Sequence, residues 1–143
     1  RVIKEVNTME NCIFCKIIDG QIPSHKIYED DHVYAFLDIN PSTLGHTLVI
    51  PKKHAIDIYD LDEETAANMF KAIPKIANAL KKAFDPIGLN LINNNQKPHQ
   101  VVFHYHIHLI PRYENDKLKI TFNNMNPTND ELLLVKDKII NSL

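Results

Sequence analysis

The chain has 143 residues, 44% of them hydrophobic and 24% charged, with a net charge of −2 when histidine is neutral. That length suits one domain with its own core and is too short for two ordinary ones. The balance excludes a broad basic surface for DNA or RNA, the longest apolar run falls far short of the roughly 20 residues that span a bilayer, and the scarcity of glycine excludes the glycine-rich phosphate loops.

Residues 1–8 read as an expression remnant or a disordered arm, and 9–143 as one domain. The N-terminus lacks the positive-then-apolar layout of a secretion signal, so a cytoplasmic protein is expected, with neither membrane nor nucleic acid as partner. Asn11 can cap a short helix, Cys12 to Ile18, that stops near Gly20. Lys26 to Glu29 and His32 to Leu37 read as strands around the acidic turn Asp30-Asp31. His46 to Ile50 is a third strand, ended by Pro51.

Asp62 starts the longest helix, which runs to about Phe84 with apolar residues at a helical period. Pro74 inside it removes one backbone donor and is expected to kink it or mark a joint. Leu89 to Asn94 and Val102 to Ile110 read as strands joined by a polar loop. Lys117 to Phe122 is a further candidate strand. The capping box Thr128-x-x-Glu131 then opens a final helix to Asn141. This order implies an α+β domain with a mainly antiparallel sheet, one long helix and a C-terminal helix.

The chemistry sits in Phe103-His104-Tyr105-His106-Ile107-His108-Leu109. Side chains alternate across a strand, so the apolar residues share a buried face and the three imidazoles share the other, roughly 6–7 Å apart. Such a row titrates near neutral pH and suits anion chemistry. Two readings follow from the residues. The row can hold a catalytic zinc whose bound water attacks. Alternatively, one imidazole attacks phosphorus while a neighbour assists and amides stabilise the oxygens. Cys12-x-x-Cys15 independently signals metal or redox chemistry.

The run H-Y-H-I-H-L-I resembles the signature of the histidine triad (HIT) family. So do Cys12 to Ile18, Phe36-Leu37-Asp38-Ile39, Gly45-His46-Thr47-Leu48-Val49-Ile50-Pro51-Lys52-Lys53-His54 and Pro111-Arg112-Tyr113, which are similar to the bacterial branch close to the histidine triad nucleotide-binding proteins. The resemblance implies a HIT-like fold, a two-fold homodimer paired through the long helix and an edge strand, and hydrolysis at the α-phosphate of a purine nucleotide. It makes His106 the nucleophile and places His108 at the phosphate and leaving group. It assigns Asn93, Gln100 and the Val102 amide to the phosphate oxygens, Asp38 to the ribose, and Ile13, Phe14, Ile17, Phe36 and Ile39 to the base. His46 stands as support behind the triad.

The resemblance also implies a structural zinc held by Cys12, Cys15, His54 and His104, with no organic cofactor. A nucleotide phosphoramidate is the first choice of substrate. The alternatives are a dinucleoside polyphosphate hydrolase, a catalytically weak nucleotide-binding module and a zinc-dependent hydrolase. Two residues depart from the family pattern: His99 replaces a glycine, and Val101 replaces a Ser or Thr whose hydroxyl reaches the phosphate.

Overall fold

The computed structural model describes residues 11–143, so the expectation for residues 1–8 lies outside the described residues. Helix α1 is Ile13–Ile18, strands β1, β2 and β3 are Lys26–Glu29, Val33–Leu37 and Thr47–Pro51, and helix α2 is Glu63–Phe84. Strands β4, Gly88–Ile92, and β5, Ile107–Arg112, precede helix α3, Asn129–Ile140. The strands form one antiparallel sheet of order β1-β2-β3-β5-β4, an α+β architecture.

Alternation along the central strands sorts the core into two layers. Val33, Ala35, Val49, Ile107 and Leu109 face α2 and bury its Met69, Ala72, Ile73, Ile76 and Leu80. Tyr34, Phe36, Leu48 and Ile50 face the other way, against Phe14 and Ile17 of α1. Helix α1 spans only six residues, so it covers part of that second face and leaves a cleft beside it.

Asp62 caps α2 by accepting from the Thr65 amide at 2.7 Å. The helix runs unbroken past Pro74, which lies on the exposed side where the carbonyl it deprives of a partner can meet water. Thr128 and Glu131 form the expected capping box at the start of α3.

Most strand ends differ from the sequence expectation by one or two residues, and a few differ for reasons that bear on the site. The N-cap of α1 is Cys12 rather than Asn11, because Cys12 Sγ accepts the Cys15 amide at 3.3 Å. Strand β4 stops at Ile92, short of Asn94. Strand β5 starts at Ile107 instead of Val102: residues 101–106 bend past the sheet, and the Tyr105 amide pairs with the Ala55 carbonyl at 2.6 Å. Residues 117–122 form no strand and lie in an irregular, mostly exposed stretch.

Candidate functional site

The register places Leu48 opposite His108 and Val49 opposite Ile107. Facing residues share a side of the sheet, so His108 joins Leu48 on the α1 side while Ile107 enters the α2 core. His106 and His104 stand on that same side although they precede the ladder. The Phe14 ring lies edge-on to both, with centroids 5.3 Å from His106 and 5.8 Å from His104. The centroids of His106 and His108 are 5.1 Å apart.

Ring hydrogen bonds fix which nitrogen of each histidine carries the proton. A carbonyl only accepts, so His106 Nδ1–H donates to the His104 carbonyl at 2.7 Å, and its Nε2 keeps a lone pair. The Ser42 amide donates to His46 Nδ1 at 3.0 Å, so His46 carries its proton on Nε2. That proton points at His108 Nδ1, 2.9 Å away, with Asp38 Oδ2 at 3.6 Å. His108 therefore accepts at Nδ1 and holds its own proton on Nε2. Burial holds His46 and His106 below the ordinary histidine value. Burial, then the neighbouring His106 and His46, push His108 down to about 4. The row is neutral at physiological pH, with one nitrogen free to attack and one N–H free to donate.

Gly45 positions His46. Its φ of +89° is a conformation that side-chain-bearing residues rarely adopt. A Cβ there would also lie 3.2 Å from the Phe84 ring and 3.3 Å from Pro111.

The cleft beside α1 has a volume of about 530 Å³. Ile13, Phe14, Ile17, Phe36 and Ile39 form its apolar part, and Asp38, Val102, His106 and His108 also line it. Asp38 Oδ1 accepts the Asn40 amide at 2.8 Å and retains lone pairs toward the cleft. Asn93 and Gln100, expected at the phosphate oxygens, are not among the residues that line the cleft. Asn93 Nδ2 donates to the His106 carbonyl at 2.9 Å, which braces the backbone of the triad. Gln100 is buried, donating to the carbonyls of Ile56 and Val102 and accepting the Gln96 amide, so it shapes the loop before the triad. Asn94, His99 and Val101 of that loop do line the cleft, as does Leu48. Leu48 reads as ordinary core in sequence; its register opposite His108 is what brings it here. Asp38 is the one carboxylate among the described lining residues of the cleft, and no lysine or arginine is among them.

A second cluster lies behind the first. The ligand atoms of Cys12, Cys15, His54 and His104 are all within 4.8 Å of one another. Cys12 Sγ is 3.3 Å from His104 Nδ1, Cys15 Sγ is 3.3 Å from His54 Nδ1, and the two Nδ1 atoms are 3.2 Å apart. Tetrahedral zinc with ordinary bond lengths needs ligand separations of roughly 3.3–3.8 Å. His104 Nε2–H donates to the Pro51 carbonyl at 2.8 Å, which leaves Nδ1 as a lone pair aimed at the thiols. The donor set fits a closed Cys2His2 metal site. Asp38, His46 and His108 also converge. There the His46 proton lies on Nε2, toward the cluster, which disfavours a cation.

The chain matches the family model described as HIT domain over residues 19–115. A crystal structure of a HIT family protein from Bacillus anthracis is 54% identical, covering 95% of this chain and 99% of that one, with a TM-score of 0.90. Adenylylsulfatase HINT3 from Arabidopsis thaliana is 45% identical over 116 residues, 80% of this chain and 59% of its own length. A zinc-bound histidine triad family protein from Mycobacterium smegmatis is 36% identical, covering 95% of this chain and all of that one, with a TM-score of 0.73.

Proposed function

This chain belongs to the HIT family, and from the cleft it carries we propose that it hydrolyses purine nucleotide conjugates at the α-phosphate through a nucleotidyl-His106 intermediate. The observation that carries this reading is the His106 tautomer: Nδ1–H is tied to the His104 carbonyl, so Nε2 is an unprotonated nucleophile at the cleft. The base lies in the apolar slot of Ile13, Phe14, Ile17, Phe36 and Ile39, and Asp38 accepts from the ribose hydroxyls.

His106 Nε2 forms a bond to phosphorus as the bond to the leaving group breaks. The electron pair departs with the amine, which takes its proton from water. His108 Nε2–H donates to the oxygens where charge gathers, and the Val102 amide supports them. Water then displaces His106 from phosphorus and releases the monophosphate, returning the lone pair to Nε2, and the proton this water sheds neutralises the hydroxide left when the amine was protonated. An adenylyl-cleaving relative is in keeping with this chemistry.

The leaving group we favour is an amine, so the substrate is a phosphoramidate. A dinucleoside polyphosphate carries several more negative charges, and the cleft lining offers Asp38 and no lysine or arginine to meet them. Val101 presents an isopropyl group there in place of a hydroxyl. We further assign a structural zinc to Cys12, Cys15, His54 and His104, where it pins α1 to the triad segment. The fit of the four donor atoms and a zinc-bound relative support this. Two-fold pairing through α2 and the open edge of β4 completes the reading.

The test is a single turnover of adenosine phosphoramidate, quenched and analysed by mass spectrometry. A phosphorus adduct on His106 is expected. His106→Ala removes the adduct and lowers turnover by about 10³-fold or more. Turnover without an adduct, lost in step with zinc on a folded chain, points instead to a metal-bound water.

A further inference from the structure

One buried carboxylate belongs to neither cluster. Asp57 is 6% exposed and lies outside the lining of the cleft, in the turn of residues 55–60 that follows His54. No ion pair reaches it among the described residues. Amides satisfy it instead, as burial of a carboxylate requires. Its Oδ1 accepts the backbone N–H groups of Tyr59 and Asp60 at 3.0 and 3.1 Å, which closes the turn. Its Oδ2 accepts the side-chain N–H of Gln96, from the loop before the triad.

The turn that Asp57 closes holds that loop at two further points. Gln100 Nε2–H donates to the Ile56 carbonyl at 2.7 Å, and the Ile58 amide donates to Asn95 Oδ1 at 2.7 Å. Asn95 donates in turn to Asn93 at 2.7 Å, and Asn93 to the His106 carbonyl. Within the loop, the Gln96 amide donates to Gln100 Oε1 at 2.6 Å. The φ of Gln96 is +60°, a conformation that residues with side chains seldom keep unless their surroundings fix it. Its tie to Asp57 is such a fixing contact, so the shape of the loop is set from behind, by a residue that never meets the cleft.

What the loop presents to the cleft makes its shape matter. Asn94, His99, Val101 and Val102 line the cleft, and the lining holds no lysine or arginine. The amides of Val101 and Val102 have no acceptor among the described residues. An anion held without a cation depends on backbone N–H groups, and a hydrogen bond weakens steeply as its angle closes. Affinity for phosphate is then decided by where the loop backbone points. We propose that Asp57, acting through Gln96, is a positioning residue that aims these amides and so sets how tightly the cleft holds a phosphate group. The inference rests on the nucleotide binding proposed above and adds what orients its phosphate side.

The experiment measures the binding of AMP and of adenosine by calorimetry at neutral pH, with the parent chain and Gln96→Met. Gln96 is exposed and outside the lining, so methionine, of similar length, cuts the tie while leaving every charge and the cleft wall in place. AMP is expected to bind about 10-fold more weakly, the worth of one hydrogen bond to a charged group, and adenosine within about twofold of the parent. Asp57→Asn combined with Gln96→Glu reverses the polarity of the tie, because the new amide donates to the new carboxylate, and should return AMP to within about threefold of the parent. Melting curves confirm folding, and Gln96→Ala replaces Gln96→Met if the latter does not fold. A folded Gln96 variant with an unchanged ratio of AMP to adenosine affinity overturns the inference, and so does an equal loss for both ligands, which a merely structural role would give. A folded double variant that recovers nothing overturns the tie through Asp57. A parent chain that binds neither ligand overturns the nucleotide reading itself.

Discussion

Replacing His46 by Phe tests the proton arrangement of the site most directly. His46 does not line the cleft; it acts by donating Nε2–H to His108 Nδ1 at 2.9 Å while Ser42 holds its other nitrogen. Phe keeps the ring's bulk at this buried position and deletes both hydrogen bonds. His108 then loses the partner that keeps its remaining proton on Nε2, toward the phosphate. In the reacting complex that donor serves an oxygen gaining charge, where one hydrogen bond is worth about 1.5–3 kcal/mol. At about 1.4 kcal/mol per factor of ten, kcat should fall roughly 10- to 100-fold. KM should move by less than about threefold, because the loss is felt where charge develops rather than where substrate docks. His46→Gln, which can return an N–H to His108, should recover part of the rate. The assay is release of the nucleoside monophosphate from adenosine phosphoramidate, with melting curves to confirm folding. A folded His46→Phe chain within about twofold of the parent kcat would refute the relay.

Two further outcomes follow from the buried groups. Cys12→Ser should remove one zinc per chain by elemental analysis and lower Tm by roughly 10 °C, from a loss of about 3 kcal/mol or more; a parent chain expressed with ample zinc that carries none refutes the tetrad. Stability should be flat above pH 6.5 and fall between there and pH 4, because the unfolded chain takes up a proton near 6.5 that half-buried His108 refuses until about 4. Solvent reaches part of this ring and screens it, so that one group accounts for well under about 3 kcal/mol. Urea unfolding at pH 7 and 4.5 should show a smaller loss for His108→Asn, and an equal loss in the two chains refutes the assignment.

The elements legible in the sequence were those with local causes. Asp62 before an apolar period announced α2, and Thr128 with Glu131 announced α3. Alternation at Phe103 to Leu109 correctly separated the imidazoles from the α2 core, since faces depend on neighbours in the chain. Whether that stretch pairs as a strand depends on distant residues, and at Tyr105 the amide goes to Ala55, which no local pattern encodes. Lys117 to Phe122 alternates as a strand should but pairs with no strand. The hydrogen bonds of Asn93 and Gln100 are hidden for a similar reason: an amide beside a site can serve backbone or ligand equally well until the loop is folded. His46 and His108 are 62 positions apart, so only the register of β3 and β5 reveals that they touch.

His104 has two obligations at opposite ends of one residue. Its ring belongs to the Cys12–Cys15–His54 cluster, and its carbonyl holds the proton of His106. Whatever loosens the cluster therefore slackens the aim of the attacking nitrogen two positions away, without any ion touching the nucleotide. On the proposed chemistry, a preparation stripped by chelators would then behave as a mixture of competent and misaligned molecules, with its active-site titre following metal content.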